Sequence, residues 1–175
     1  MDRDEQMISA QLGRELRGKS EVRATRHLGL PVVIAVPPVL DDGTPFPTRY
    51  WLTCPLAVRR LARLESGGEI KRLDERARLD VEFGVRLEAA HNRYRQQRDA
   101  LIPDEAEHRP RGGVAGAEAG VKCLHAHYAD HAARNDNPVG EAVATSVEPL
   151  DCTVPCVIGA QRNSAWREPQ NRMNL

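Results

Sequence analysis

Aromatic residues are scarce in this chain: two Phe, two Trp and three Tyr make up 4% of 175 residues. That leaves little with which to stack bases, so a platform for single-stranded nucleic acid is not expected. Net charge is also missing. Lys and Arg number 25, Asp and Glu number 25, and the formal charge is zero. A dedicated nucleic-acid binder usually carries a basic excess, so no nucleic-acid partner is expected. No long apolar run occurs. The longest, Pro31 to Leu40, is half of what a membrane span needs and holds three prolines. The opening Met1-Asp2-Arg3-Asp4-Glu5 is charged and no apolar stretch follows it, so neither a signal peptide nor a membrane partner is expected. These absences point to a cytoplasmic protein. In that reducing compartment the four cysteines, Cys54, Cys123, Cys152 and Cys156, read as free thiols or metal ligands rather than bridges.

What is present is an ordinary alternation of strand and helix signals without internal repeats. Residues 4–17 place Met7, Ile8, Leu12 and Leu16 on one helical stripe, ended by Gly18. Residues 21–26, the β-branched run 31–36, and 49–53 read as strands joined by proline-rich turns. Pro55 opens a helix with Leu56, Val58, Leu61 and Leu64 on its apolar face, stopped by Gly67-Gly68. A short second helix is expected within 69–80. Leu79, Phe83, Leu87, Ala90, Tyr94 and Leu101 then recur at spacings of 4, 4, 3, 4 and 7, which predicts a long amphipathic helix. Residues 103–117 read as a flexible loop, 118–134 as a helix, 139–146 as a short helix and 153–158 as an edge strand weakened by Pro155. The fold class expected is α+β, a small antiparallel sheet packed on three or four helices. One domain spans 1–160, and 161–175 is a polar, disordered C-terminal tail.

The segment Val121 to His131 concentrates Cys123, His125, His127 and His131. If one helix carries it, each residue advances roughly 100°, so His127 lies roughly 40° and His131 roughly 80° from Cys123. His125 falls at roughly 200°, on the far flank. Thiolate and imidazole suit zinc, which takes four nitrogen, sulfur or oxygen ligands. The remaining ligands would come from Cys54, Cys152 or Cys156. Geometry favours His127 beside Cys123, with His125 a core histidine. Two other readings stand beside this one: Cys123 as a small buried hydrophobe with the histidines hydrogen-bonded or solvated, and a Cys123–histidine nucleophile pair. Arg59, Arg60 and Arg63 fall on the solvent side of their helix. With Lys71, Arg72, Arg76, Arg78, Arg109 and Arg111 they offer either an anion-binding surface or a solvated charged face.

Four stretches together carry a resemblance: Asp42-Gly43-Thr44-Pro45-Phe46-Pro47-Thr48, Tyr50-Trp51-Leu52-Thr53-Cys54-Pro55, Val121-Lys122-Cys123-Leu124-His125 and Asn137-Pro138-Val139-Gly140. In this order, across residues 9 to 158, the chain resembles the bacterial, chiefly actinobacterial family called domain of unknown function 501. The resemblance singles out Cys54, Cys123 and His125, and so favours His125 over His127. Relatives tend to carry Cys-Pro-x-Gly-x-Pro where this chain reads Arg26-His27-Leu28-Gly29-Leu30-Pro31, which implies a ligand lost or replaced by His27. Neighbouring genes in the family often encode enolase, a septum-formation initiator protein and an exopolyphosphatase. This implies a protein partner in a cell-division or phosphate-metabolism context. The candidate metal ligands are thus Cys54, Cys123, His125, His127 and Cys156, with zinc as the expected cofactor. The expected function is a small interaction or regulatory module stabilised by that site. The alternative is a hydrolase or phosphate-handling enzyme using His125 or His127 with nearby arginines.

Overall fold

The structure is a computed structural model and describes residues 2–24 and 27–169. Three short strands, β1 (Glu21–Val22), β2 (Val33–Ala35) and β3 (Tyr50–Leu52), form an antiparallel sheet in the order β1-β2-β3. Val33 pairs with Leu52, Ile34 with Trp51 and Ala35 with Tyr50. Side chains alternate across a strand. Val33, Ala35, Tyr50 and Leu52 therefore enter the main core, while Ile34 and Trp51 join Ile8 of α1 (Arg3–Leu12) on the other face. The sheet is thus covered on one side by α1 and on the other by a helical layer. Residues 25 and 26 of the expected first strand lie outside the described residues.

The helical layer comprises α2 (Pro55–Ser66), α3 (Glu69–Leu79), α4 (Val81–Asp99), α5 (Leu124–Ala132) and α6 (Pro138–Val147). An α+β fold with a small antiparallel sheet is what the sequence leads one to expect. The long stripe needs correction at its ends. Asp80 leaves helical geometry (φ −100°, ψ 102°) and its carboxylate accepts the Phe83 N–H at 3.1 Å, capping α4. Phe83, Leu87, Ala90 and Tyr94 are buried as their spacing predicts, but Leu79 belongs to α3 and is 77% exposed, and Leu101 is 49% exposed.

Two polar anchors hold the segment after α4. Arg98, 1% exposed, donates to the carbonyls of Arg111 and Gly112 at 3.1 and 2.7 Å. His91 donates from Nε2 to Gly120 O at 2.9 Å and accepts the Val114 N–H on Nδ1 at 3.0 Å. The second half of the expected flexible loop is therefore pinned, with Val114 fully buried in a 3₁₀ turn. Arg60, placed by its helical position toward solvent, is instead buried. It donates to Val147 O and Pro149 O at 2.6 and 2.7 Å and pairs with Asp151 at 2.5 Å. Sequence periodicity missed it because its partners come from beyond α6.

The expected edge strand 153–158 reduces to β4 (Val157–Ile158). It pairs with β5 (Gln161–Arg162) in a separate two-stranded sheet rather than with the main one. Thus 161–162, expected to begin a tail without structure, carry a strand. Beyond them Trp166 packs against the main core. Residues 170–175 of that expected tail lie outside the described residues.

Candidate metal centre

The start of α5 decides the site. Sequence periodicity carries the helix back to 118, but Gly120 takes φ +69° and Cys123 is extended (φ −153°, ψ 119°), so the helix begins at Leu124. Its first N–H groups lack partners within the helix. Glu65, in the last turn of α2, supplies one: its Oε1 accepts the Leu124 N–H at 2.7 Å. Asp74 of α3 accepts the Val121 N–H at 2.8 Å. The cap comes from helices distant in sequence, so the local pattern carries no sign of it.

Because Cys123 precedes the helix, the 100° rule does not apply to it. Its Sγ lies 3.9 Å from His125 Nδ1, and the same nitrogen lies 3.2 Å from Glu65 Oε1. Cys123 and His125, expected on opposite flanks, meet. His127 does not join them. It is fully buried on the other side, where its Nδ1 lies 3.0 Å from Asn137 Oδ1 and its ring meets His91 edge-on at 5.6 Å. Burial pushes its pKa down to about 4. Cys54 caps α2 and Cys156 precedes β4; neither belongs to this group. Glu65 is the member of this cluster that sequence reasoning missed, since it stands among interleaved charges and gains meaning only through α5.

Among the described residues, Glu65, Cys123 and His125 form the one group of three or more whose ligand atoms all lie within 4.8 Å of one another. The separations suit a shared ion. Tetrahedral zinc with ordinary bond lengths spaces nitrogen and oxygen ligands about 3.3 Å apart and sulfur and nitrogen about 3.6 Å. His125 Nε2 lies 3.1 Å from Val58 O and donates to it, which orients the ring and turns Nδ1 inward. A bare Nδ1 lone pair facing a carboxylate oxygen would be repulsive, so a proton or a metal ion must stand between them. With a proton there, the Cys123 contact, and then Glu65, push the His125 pKa up to about 9 against the opposing effect of burial.

Cys123 and His125 line part of a cleft of about 850 Å³. Trp51, Arg59, Arg162 and Trp166 contribute to its other walls. Arg59 stacks over Trp166 at 4.8 Å. Arg63, expected in an anion-binding group, meets Glu168, and Arg72 and Arg76 meet Glu69 and Asp80 within and beside α3. No helix among the described residues is long and apolar enough to cross a membrane.

The fold and site together define a small α+β domain with a Glu/Cys/His cluster at a helix start, facing a cleft. The chain belongs to the family described as Protein of unknown function (DUF501), whose model matches residues 22–145. Glu65, Cys123 and His125 all fall inside that match. No curated protein and no solved structure matches the chain.

Proposed function

We propose that this domain binds one divalent metal ion, zinc by ligand chemistry, through Glu65, Cys123 and His125, and presents its fourth coordination position to the cleft. The observation that supports this is the convergence of three ligand atoms within 4.8 Å, with the His125 ring already oriented by Val58 O. The cleft combines apolar walls with arginines, so a ligand with an apolar body and an anionic group fits it. In this reading the domain is a cytoplasmic interaction or regulatory module whose partner docks an acidic group on the metal.

One observation favours a second reading. Three protein ligands and an open position are the arrangement of catalytic rather than structural zinc. A hydrolase would use the metal to polarise a carbonyl or phosphoryl oxygen, with Arg59 toward the anion. Metal analysis of protein purified without chelator tests both. Cys123→Ser or His125→Ala should lower the zinc content by about one ion per chain. Unchanged content would remove the metal from this cluster. Turnover of a phosphate-ester and carboxylic-ester panel by zinc-loaded protein, abolished by Glu65→Gln, would select the hydrolase.

A further inference from the structure

The three cysteines outside the candidate centre are not scattered. Cys54, Cys152 and Cys156 line a single cavity of about 10 Å³, and His27 lines it too. Such a volume holds about one water-sized sphere and nothing larger. We propose that Cys54, Cys152, Cys156 and His27 form a second metal site, a closed zinc site of three thiolates and one imidazole that fastens the segment after α6 to the start of α2.

Two of the sulfurs already meet N–H donors of the kind a thiolate accepts. Trp166 Nε1 donates to Cys152 Sγ at 3.4 Å. Gln11 Nε2 donates to Cys156 Sγ at 3.8 Å. Cys152 and Cys156 line the same cavity as Cys54, which is buried. A buried thiol among other thiols ionises when a cation is supplied, and a metal ion supplies it. His27 gives the independent observation. Its Nε2 is shut off from solvent and has no hydrogen-bond partner among the described residues. Buried polar atoms are normally paired, so an imidazole nitrogen left without a partner, in a cavity that three thiols also line, has a lone pair available to a metal ion.

On binding, three S–H bonds break, their protons pass to solvent, and each sulfur keeps its electron pair for the metal. His27 contributes the lone pair of Nε2 and carries its proton on Nδ1. The four ligand atoms do not yet converge within 4.8 Å, so the cysteines turn into the cavity as the ion enters. Four ligands leave no open position, which makes this site structural, unlike the Glu65–Cys123–His125 centre.

Zinc content and thiol accessibility test the proposal apart from the first centre. Full-length Cys123→Ser protein, loaded with zinc and desalted, should keep about one zinc per chain. Serine is a good helix cap, so this variant should fold. Adding Cys152→Ser and Cys156→Ser should remove that zinc. Retention of the zinc would overturn the proposal. Should the triple variant fail to fold, iodoacetamide mapping of the zinc-loaded Cys123→Ser protein decides. Cys152 and Cys156 should alkylate at least tenfold faster once a chelator is added; equal rates with and without chelator would overturn the site. Failure of the first centre shows differently, as unchanged zinc content between wild type and Cys123→Ser.

Discussion

Asp130 shows how much one side chain carries here. It is fully buried, and Arg93 meets it with two hydrogen bonds, at 3.1 and 2.6 Å. Asn135 and Asn137 add further donors at 3.0 and 2.9 Å, so a carboxylate on α5 ties α4 to the cap of α6. Removing one partner of a buried charged pair strands the other. Asp130→Ala should therefore cost about 3 kcal/mol in urea unfolding, and a loss under about 1 kcal/mol would show that the network is dispensable. His91 sets a pH limit of a different kind. It accepts an N–H on Nδ1 and donates from Nε2, so the folded state needs its neutral form. Burial is the main cause that lowers its pKa below the usual histidine value. As pH falls below about 6.5 the unfolded chain takes up a proton that the folded one refuses, so stability drops with acidification. Unfolding midpoints between pH 7 and 5 should fall less steeply for His91→Gln than for wild type; parallel curves would exclude His91 as the cause.

Among the elements, α4 was legible and the start of α5 was not. Phe83 to Tyr94 repeat with helical spacing because one face packs on the core, and that pattern is local to the chain. Phe83→Ala should cost about 3–5 kcal/mol. Leu79→Ala should cost under about 0.5 kcal/mol, because the Asp80 cap leaves it in water. Equal losses in denaturant titration would mean that α3 and α4 run on as one helix. The beginning of α5 is set by Gly120 and by carboxylates from α2 and α3; the glycine is a single local sign, and the carboxylates are distant in the chain. Within the histidine segment the structure brings Cys123 and His125 together with Glu65. The choice between His125 and His127 rested on a helix phase that Cys123 does not share. Arg60 was misplaced for the same reason: helical position gives direction, and buried carbonyls from another segment can still draw a charged group inward.

At the scale of the whole molecule, the segment 147–169 runs back over the domain. Arg60 holds the carbonyls of Val147 and Pro149, Trp166 packs on the main core, and Arg162 of β5 donates to Ala10 O at 3.0 Å at the end of α1. By contrast Glu105 and Glu107 are exposed, between the anchors at Arg98 and Arg111. Limited digestion with a protease specific for glutamate should cut there well before Glu168, which Arg63 and Arg59 hold. Earlier cutting at Glu168 would mean that the segment is not seated. The contact between α1 and the β4–β5 hairpin also has a biosynthetic meaning. Met7 of α1 packs with Leu30 and with Val157, the second of which lies far downstream in the chain. A ribosome delivers residues in order and at a finite pace. Ile8 of α1 can thus settle against Ile34 and Trp51 early, whereas Met7 on its other flank stays uncovered toward Val157 until residues 157–162 have cleared the exit tunnel.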